Sequence, residues 1–194
     1  APHVQAVVDT ASGARITFRQ LNERTNQTAN TLLGLDFSPG ERIACLMSNQ
    51  VQYVESFYAC AKAGFVFVAL NWRLTVPELS YQLMDCGATA VIYGADQKSL
   101  VEPLREQFPS VRWLLADEGD YAATVDNAAT AEPPIGATGE DPLFMMYTSG
   151  TTGRPKGALM SHRADIAWLA SMLATSDLHH GERNLIVAPL FHIA

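Results

Sequence analysis

Leu143-Phe144-Met145-Met146-Tyr147-Thr148-Ser149-Gly150-Thr151-Thr152-Gly153-Arg154-Pro155-Lys156-Gly157 is an apolar run that opens straight into hydroxyls, glycines and positive charge. The first four residues read as a buried strand that delivers a loop to one edge of a sheet. The loop has the composition of a phosphate cradle. Glycines let backbone N–H groups approach an anion, hydroxyls donate further hydrogen bonds, and Lys156 brings a compact ammonium. At an effective dielectric of about 20, one such charge about 4 Å from a phosphate charge is worth roughly 4 kcal/mol before desolvation. Gly, Ser and Thr also make plain surface turns, but such a turn has no need of Arg154, Pro155 and Lys156. The spacing excludes the common G-x-x-x-x-G-K-[ST] loop, because Pro155 stands five residues after Gly150 and Gly157 follows the lysine.

Working outward, strand-like and helix-like stretches alternate. Thr17 and Gln20 form a capping-box pattern, and Leu21, Thr25, Thr28 and Leu32 recur at helical spacing until Gly34. Ile43 to Met47 is an uninterrupted apolar run. Ser48 or Asn49 is expected to cap the next helix, with Val51, Val54, Tyr58 and Ala61 on its apolar face and Gly64 at its end. Phe65 to Leu70 is the next strand. Thr75 and Glu78 cap a helix carrying Leu79, Leu83 and Cys86, Gly87 stops it, and Ala88 to Tyr93 continues as a strand. A weaker helix over 97–107 and a strand over 111–115 follow. Residues 122–141, rich in Ala, Thr, Pro, Gly and acids, read as an exposed connection. Beyond the phosphate loop, Ser161 caps a helix holding Ile166, Leu169, Ala170 and Leu173, and residues 185–188 read as a strand. The alternation predicts an α/β fold with a mainly parallel sheet flanked by helices. Its segments are α/β units over 1–121, the connection over 122–141, and the phosphate loop with a following helix and strand over 142–194.

The net charge of −7, from 13 basic and 20 acidic residues, disfavours nucleic acid and anionic membranes as partners. Cys45, Cys60 and Cys86 sit in apolar surroundings without metal-ligand spacing and read as reduced core residues, which makes the cytoplasm the expected compartment. No apolar run reaches the roughly 20 residues of a membrane helix. The chain stops at Ala194, just past an apolar strand that a further element should cover, so it is expected to be the first portion of a longer protein.

The string from Tyr147 to Gly157 resembles, nearly residue for residue, the phosphate-binding signature of the adenylate-forming (AMP-binding) superfamily. Thr17-Phe18-Arg19-Gln20-Leu21-Asn22, Ala63-Gly64, Asn71-Trp72-Arg73-Leu74-Thr75 and Pro189-Leu190-Phe191-His192 agree in the family's order. Asn71 to Thr75 is more similar to the acyl- and aryl-CoA ligase branch than to peptide-synthetase adenylation domains. The resemblance implies the N-terminal part of the large domain of an acyl-CoA synthetase, which activates a carboxylic acid with ATP and Mg²⁺, releases pyrophosphate and passes the acyl group to CoA. It implies nucleotide contacts from Thr148, Ser149, Gly150, Thr151, Thr152, Gly153 and Lys156, a magnesium contact from Thr148, and catalytic roles for Lys156 and for His192, which would line the acyl pocket. It also implies that parts needed for turnover lie downstream, so this portion alone is expected to be inactive. An amino-acid-activating adenylation domain and a non-catalytic nucleotide-binding module remain open, as does oligomeric state, a homodimer included. Arg73 is expected to be structural, its guanidinium on backbone carbonyls. His179 and His180 are expected in a solvated loop.

Overall fold

The computed structural model describes residues 2–134, 136–148, 153–177, 179 and 181–192. A short antiparallel pair, β1 (Gln5–Val8) and β2 (Arg15–Thr17), precedes α1 (Phe18–Leu33). Then come β3 (Arg42–Leu46), α2 (Val51–Ala63), β4 (Val66–Ala69), α3 (Val76–Cys86), β5 (Ala90–Tyr93), a 3₁₀ turn (Ala95–Gln97), α4 (Lys98–Gln107), β6 (Arg112–Leu115) and α5 (Gly119–Asn127). β7 (Pro142–Thr148), β8 (Lys156–Ser161) and α6 (His162–Thr175) complete the described elements. The main sheet runs β6-β5-β3-β4-β7-β8, parallel throughout except for the antiparallel β7–β8 pair.

Continuous apolar runs become central strands because helices cover both faces of the sheet. Side chains alternate across it. Ile43, Cys45, Phe67, Ile92 and Phe144 pack in a core with Ala29 and Leu32 of α1 and Ala59 and Cys60 of α2. Ala44, Leu46, Val68, Val91 and Met145 pack in the other with Leu79 and Leu83 of α3 and Val101 and Leu104 of α4. The three cysteines are buried and unpaired, and burial pushes their thiols up.

Local signals place most boundaries. Thr17 and Gln20 close the capping box of α1, and Thr75 and Glu78 close that of α3. Gly64 ends α2 in the left-handed region, at φ 78°, and a Cβ there would collide with the Gly136 carbonyl. Only glycine satisfies both demands.

Several expectations are corrected. Neither Ser48 nor Asn49 caps α2: Gln50 occupies the cap without a side-chain bond, and the amide of Asn49 is engaged elsewhere. The apolar face of α2 is rotated from the one expected, with Tyr53, Ala59, Cys60 and Ala63 inside and Tyr58 49% exposed. The 122–141 stretch is exposed along much of its length but is no free connection. Its start is helical in α5, and α1 then holds the extended chain with side-chain amides. Gln27 donates to the Ala128 carbonyl, Asn30 to those of Ala129 and Ala131, and Asn26 to that of Thr130. Lys62 joins this segment through Glu132 at 2.6 Å. Of the polar residues that α1 buries, Asn26 is satisfied by this segment, and Thr28 donates to the Arg24 carbonyl within the helix.

At the C-terminal end, Ser161 caps α6 as expected, its hydroxyl accepting from the Ala164 N–H. No described element lies over the apolar side of α6, and Ile166 and Leu173 are 66% and 58% exposed. The strand expected at 185–188 does not form; these residues pair with no strand among the described residues. The Arg73 guanidinium lies 5.0 Å from the centroid of the Trp72 ring, and among the described residues it bonds no backbone carbonyl. His179 is exposed beside Asp177 and Glu182, as a solvated loop requires, whereas His180 lies outside the described residues.

Candidate functional site

The carboxyl ends of β3, β4, β5 and β7 share one edge because these strands are parallel. Open α/β sheets place ligands along that edge. Thr148 ends β7 there, exposed, and is the direct cross-strand partner of exposed Lys156 at the start of β8. Direct partners on an antiparallel pair point to the same face. By alternation Thr148 and Lys156 share the face of Phe144 and Met146, while Tyr147 points to the opposite face, toward α3.

Sequence reading singles out this stretch and expects a strand before it. It does not anticipate β8, whose antiparallel pairing with β7 brackets the loop between the two arms of a hairpin. Gly153 sits on the returning arm at φ 108°, open to solvent on the side a Cβ would occupy. Of the predicted phosphate contacts, Thr148, Gly153 and Lys156 are thus placed around one hairpin. Ser149, Gly150, Thr151 and Thr152 lie outside the described residues.

Both arms are tied to α3. The Tyr147 hydroxyl directs its one proton to Asp85 Oδ2 at 2.8 Å, with the Gln82 carbonyl a second acceptor at 3.1 Å. Burial and the Asp85 charge both raise the Tyr147 pKa, so the phenol stays protonated and keeps donating. On the other arm, the Tyr81 hydroxyl donates to the Pro155 carbonyl at 3.1 Å, and the Arg154 guanidinium lies 5.3 Å from the Tyr81 ring centroid. Gly157 stands opposite Tyr147, where a Cβ would come within 2.8 Å of Met145 Sδ; the missing side chain leaves room for both neighbours.

His192 reaches the same edge by another route. Asn49, just after β3, accepts from the Leu190 N–H at 2.7 Å and donates to the Ala188 carbonyl at 2.9 Å. Phe191 meets the Trp72 ring edge-on at 6.4 Å, and the exposed His192 ring stacks on Phe191 at 6.3 Å. The His192 N–H closes a turn onto the Pro189 carbonyl. Sequence reading gives Tyr81 and Asp85 no part near this edge, and it names Trp72 and Tyr147 only within motif strings. Asn49 carries a cap signal that points elsewhere, and Tyr81 looks like an ordinary position on an amphipathic helix. Among the described residues, no group of three or more His, Cys, Asp or Glu side chains is placed to hold a metal ion.

Fold and hairpin together define an α/β domain with its candidate site at the carboxyl edge of the sheet. The sequence matches the AMP-binding enzyme family over residues 1–194, and the chain belongs to that family. It is 38% identical over 197 aligned residues to the long-chain-fatty-acid–CoA ligase FadD13 of Mycobacterium tuberculosis (strain ATCC 25618 / H37Rv), an alignment covering 100% of this chain and 39% of the relative. It is 40% identical over 195 residues to a feruloyl-CoA synthase of an Amycolatopsis species, covering 100% of this chain and 37% of the relative. The inhibitor-bound crystal structure of the N-terminal domain of FACL13 from Mycobacterium tuberculosis superposes with a TM-score of 0.93 at 38% identity, over 99% of this chain and 49% of that one. This chain therefore spans well under half the length of these curated relatives.

Proposed function

We propose that the whole protein is an AMP-forming acid–CoA ligase. A carboxylate attacks the α-phosphate of Mg-ATP, pyrophosphate leaves, and the acyl-adenylate is then captured by CoA. The barrier is electrostatic, since two anions meet while negative charge grows on the departing diphosphate. In this reading Thr148, Ser149, Gly150, Thr151, Thr152, Gly153 and Lys156 hold the β- and γ-phosphates, and His192 lines the place where the carboxylate lies. The observation that carries it is the pairing of Thr148 with Lys156 at the mouth of a hairpin on the ligand-binding edge, in a chain of this family.

Mg²⁺ enters with ATP as part of the substrate. Thr148 has the chemistry to join its shell, being an exposed hydroxyl beside the hairpin turn. A lone hydroxyl binds Mg²⁺ weakly, so phosphate oxygens and further oxygen ligands would have to complete the coordination. Three unpaired, buried thiols fit a reducing compartment such as the cytoplasm. No helix among the described residues is long and apolar enough to cross a membrane.

The test is acid-dependent exchange of pyrophosphate into ATP by the whole protein, across fatty and aromatic acids, followed by detection of the CoA thioester. Exchange with thioester release supports the proposal. Exchange with loading of a carrier protein in place of CoA points to an adenylation domain, and binding of Mg-ATP without exchange points to a non-catalytic module.

A further inference from the structure

We infer that α3 is the positioning element of the hairpin, with Tyr81, Asp85 and Tyr147 as positioning residues that hold its two arms in register; this rests on the reading of the hairpin as a phosphate grip. The helix is itself firmly seated. Leu79, Leu83 and Cys86 are buried under the sheet, a complete capping box starts it and left-handed Gly87 ends it. Tyr81 and Asp85, four residues apart, lie on one face of it. Each reaches a different arm: Tyr81 takes the Pro155 carbonyl, and Asp85, with the Gln82 carbonyl, takes the Tyr147 hydroxyl.

The placement of these tethers is what makes them more than packing. Pro155 adjoins Lys156, and Tyr147 adjoins Thr148. Each bond therefore fixes the chain one residue from a candidate phosphate contact, while the contact itself points to the opposite face of the sheet. Strand alternation keeps the tether and the ligand-facing side chain from competing for space. Tyr81 also carries the Arg154 guanidinium on its ring, so the arm is held by its carbonyl and by the neighbouring side chain together. A charge grip works only as well as its groups are fixed beforehand, because ordering them on binding costs affinity.

The experiment measures Mg-ATP affinity by calorimetry and amide hydrogen exchange by mass spectrometry on the whole protein and its Tyr81→Phe, Tyr147→Phe, Asp85→Ala and Asp85→Asn variants. Each lost tether should weaken Mg-ATP about three- to tenfold, the scale of one net hydrogen bond. It should quicken exchange at residues 153–157 while leaving 43–46 in β3 unchanged. Asp85→Asn keeps an acceptor for the Tyr147 hydroxyl and should recover most of what Asp85→Ala loses. Unchanged affinity and exchange in the phenylalanine variants would overturn the inference, as would exchange that rises equally across the sheet. If the unaltered protein takes up no Mg-ATP, the proposed function falls, and the exchange rates still decide whether α3 holds the arms.

Discussion

Thr148 and Lys156 are direct partners across the antiparallel pair that brackets the hairpin turn, one ending its strand and the other beginning the next. A hydroxyl and an ammonium are thereby set on one face with nothing of the protein core between them and solvent.

Replacing Lys156 with Ala should remove a charge-assisted bond to the departing diphosphate. Acid-dependent pyrophosphate exchange should fall by the equivalent of about 1–3 kcal/mol, roughly five- to 150-fold. Because the side chain is exposed, the melting temperature should stay near that of the unaltered protein. Exchange kinetics that do not move would remove Lys156 from the grip.

Asn49→Ala should free the segment that carries His192. Both bonds, to the Leu190 N–H and the Ala188 carbonyl, come from this one amide. At about 1 kcal/mol for each net bond, exchange of the Leu190 amide should quicken by roughly five- to thirtyfold. Hydrogen exchange resolved to that residue checks it, with Asn49→Asp, which retains only acceptors, expected to fall between the two.

Gly64→Ala combines two faults, a positive φ and a collision with the Gly136 carbonyl. The left-handed conformation alone costs an alanine about 1–2 kcal/mol, and displacing the 136 segment adds to that. Thermal unfolding should show a loss of at least about 2 kcal/mol. A near-neutral variant would mean that the 136 segment does not rest on α2.

Glu132 supplies a test in pH. Its bond to Lys62, then those involving Asn22 and Asn26, lower its pKa from 4.5 to about 2 in the folded chain. A carboxylate with a depressed pKa stabilises above its unfolded value and loses that contribution as pH falls from about 4.5 toward about 2. The side chain is 63% exposed, so solvent screening keeps the effect small. Glu132→Gln should melt slightly earlier than the unaltered protein at pH 7, and the two should converge as pH falls through about 2.

The parts of the architecture legible in the sequence were those written by local chemistry. Two capping boxes and the glycines at 64 and 87 set helix ends where they were read, and the apolar runs of β3, β4 and β5 became the buried parallel centre. What failed depended on partners far along the chain. Asn49 has the chemistry of a cap, but the backbone at 188–190 claims it. The amides of Asn26, Gln27 and Asn30 on α1 find their partners in the carbonyls of 128–131, far along the chain. The strand over Lys156 to Ser161 drew no reading of its own, because its neighbour in the sheet, β7, lies on the other side of the loop. Of the candidate site, residue type singles out Thr148 and Lys156, whereas Tyr81 and Asp85 on α3 carry no signal that a single sequence can separate from ordinary helix-surface residues.

The most direct measurement is a structure of the whole protein with Mg-ATP and a carboxylic acid. The β- and γ-phosphates should lie in the hairpin between β7 and β8, with Lys156 Nζ within hydrogen-bond distance of a phosphate oxygen. Phosphates seated elsewhere, with the hairpin empty, would contradict the account.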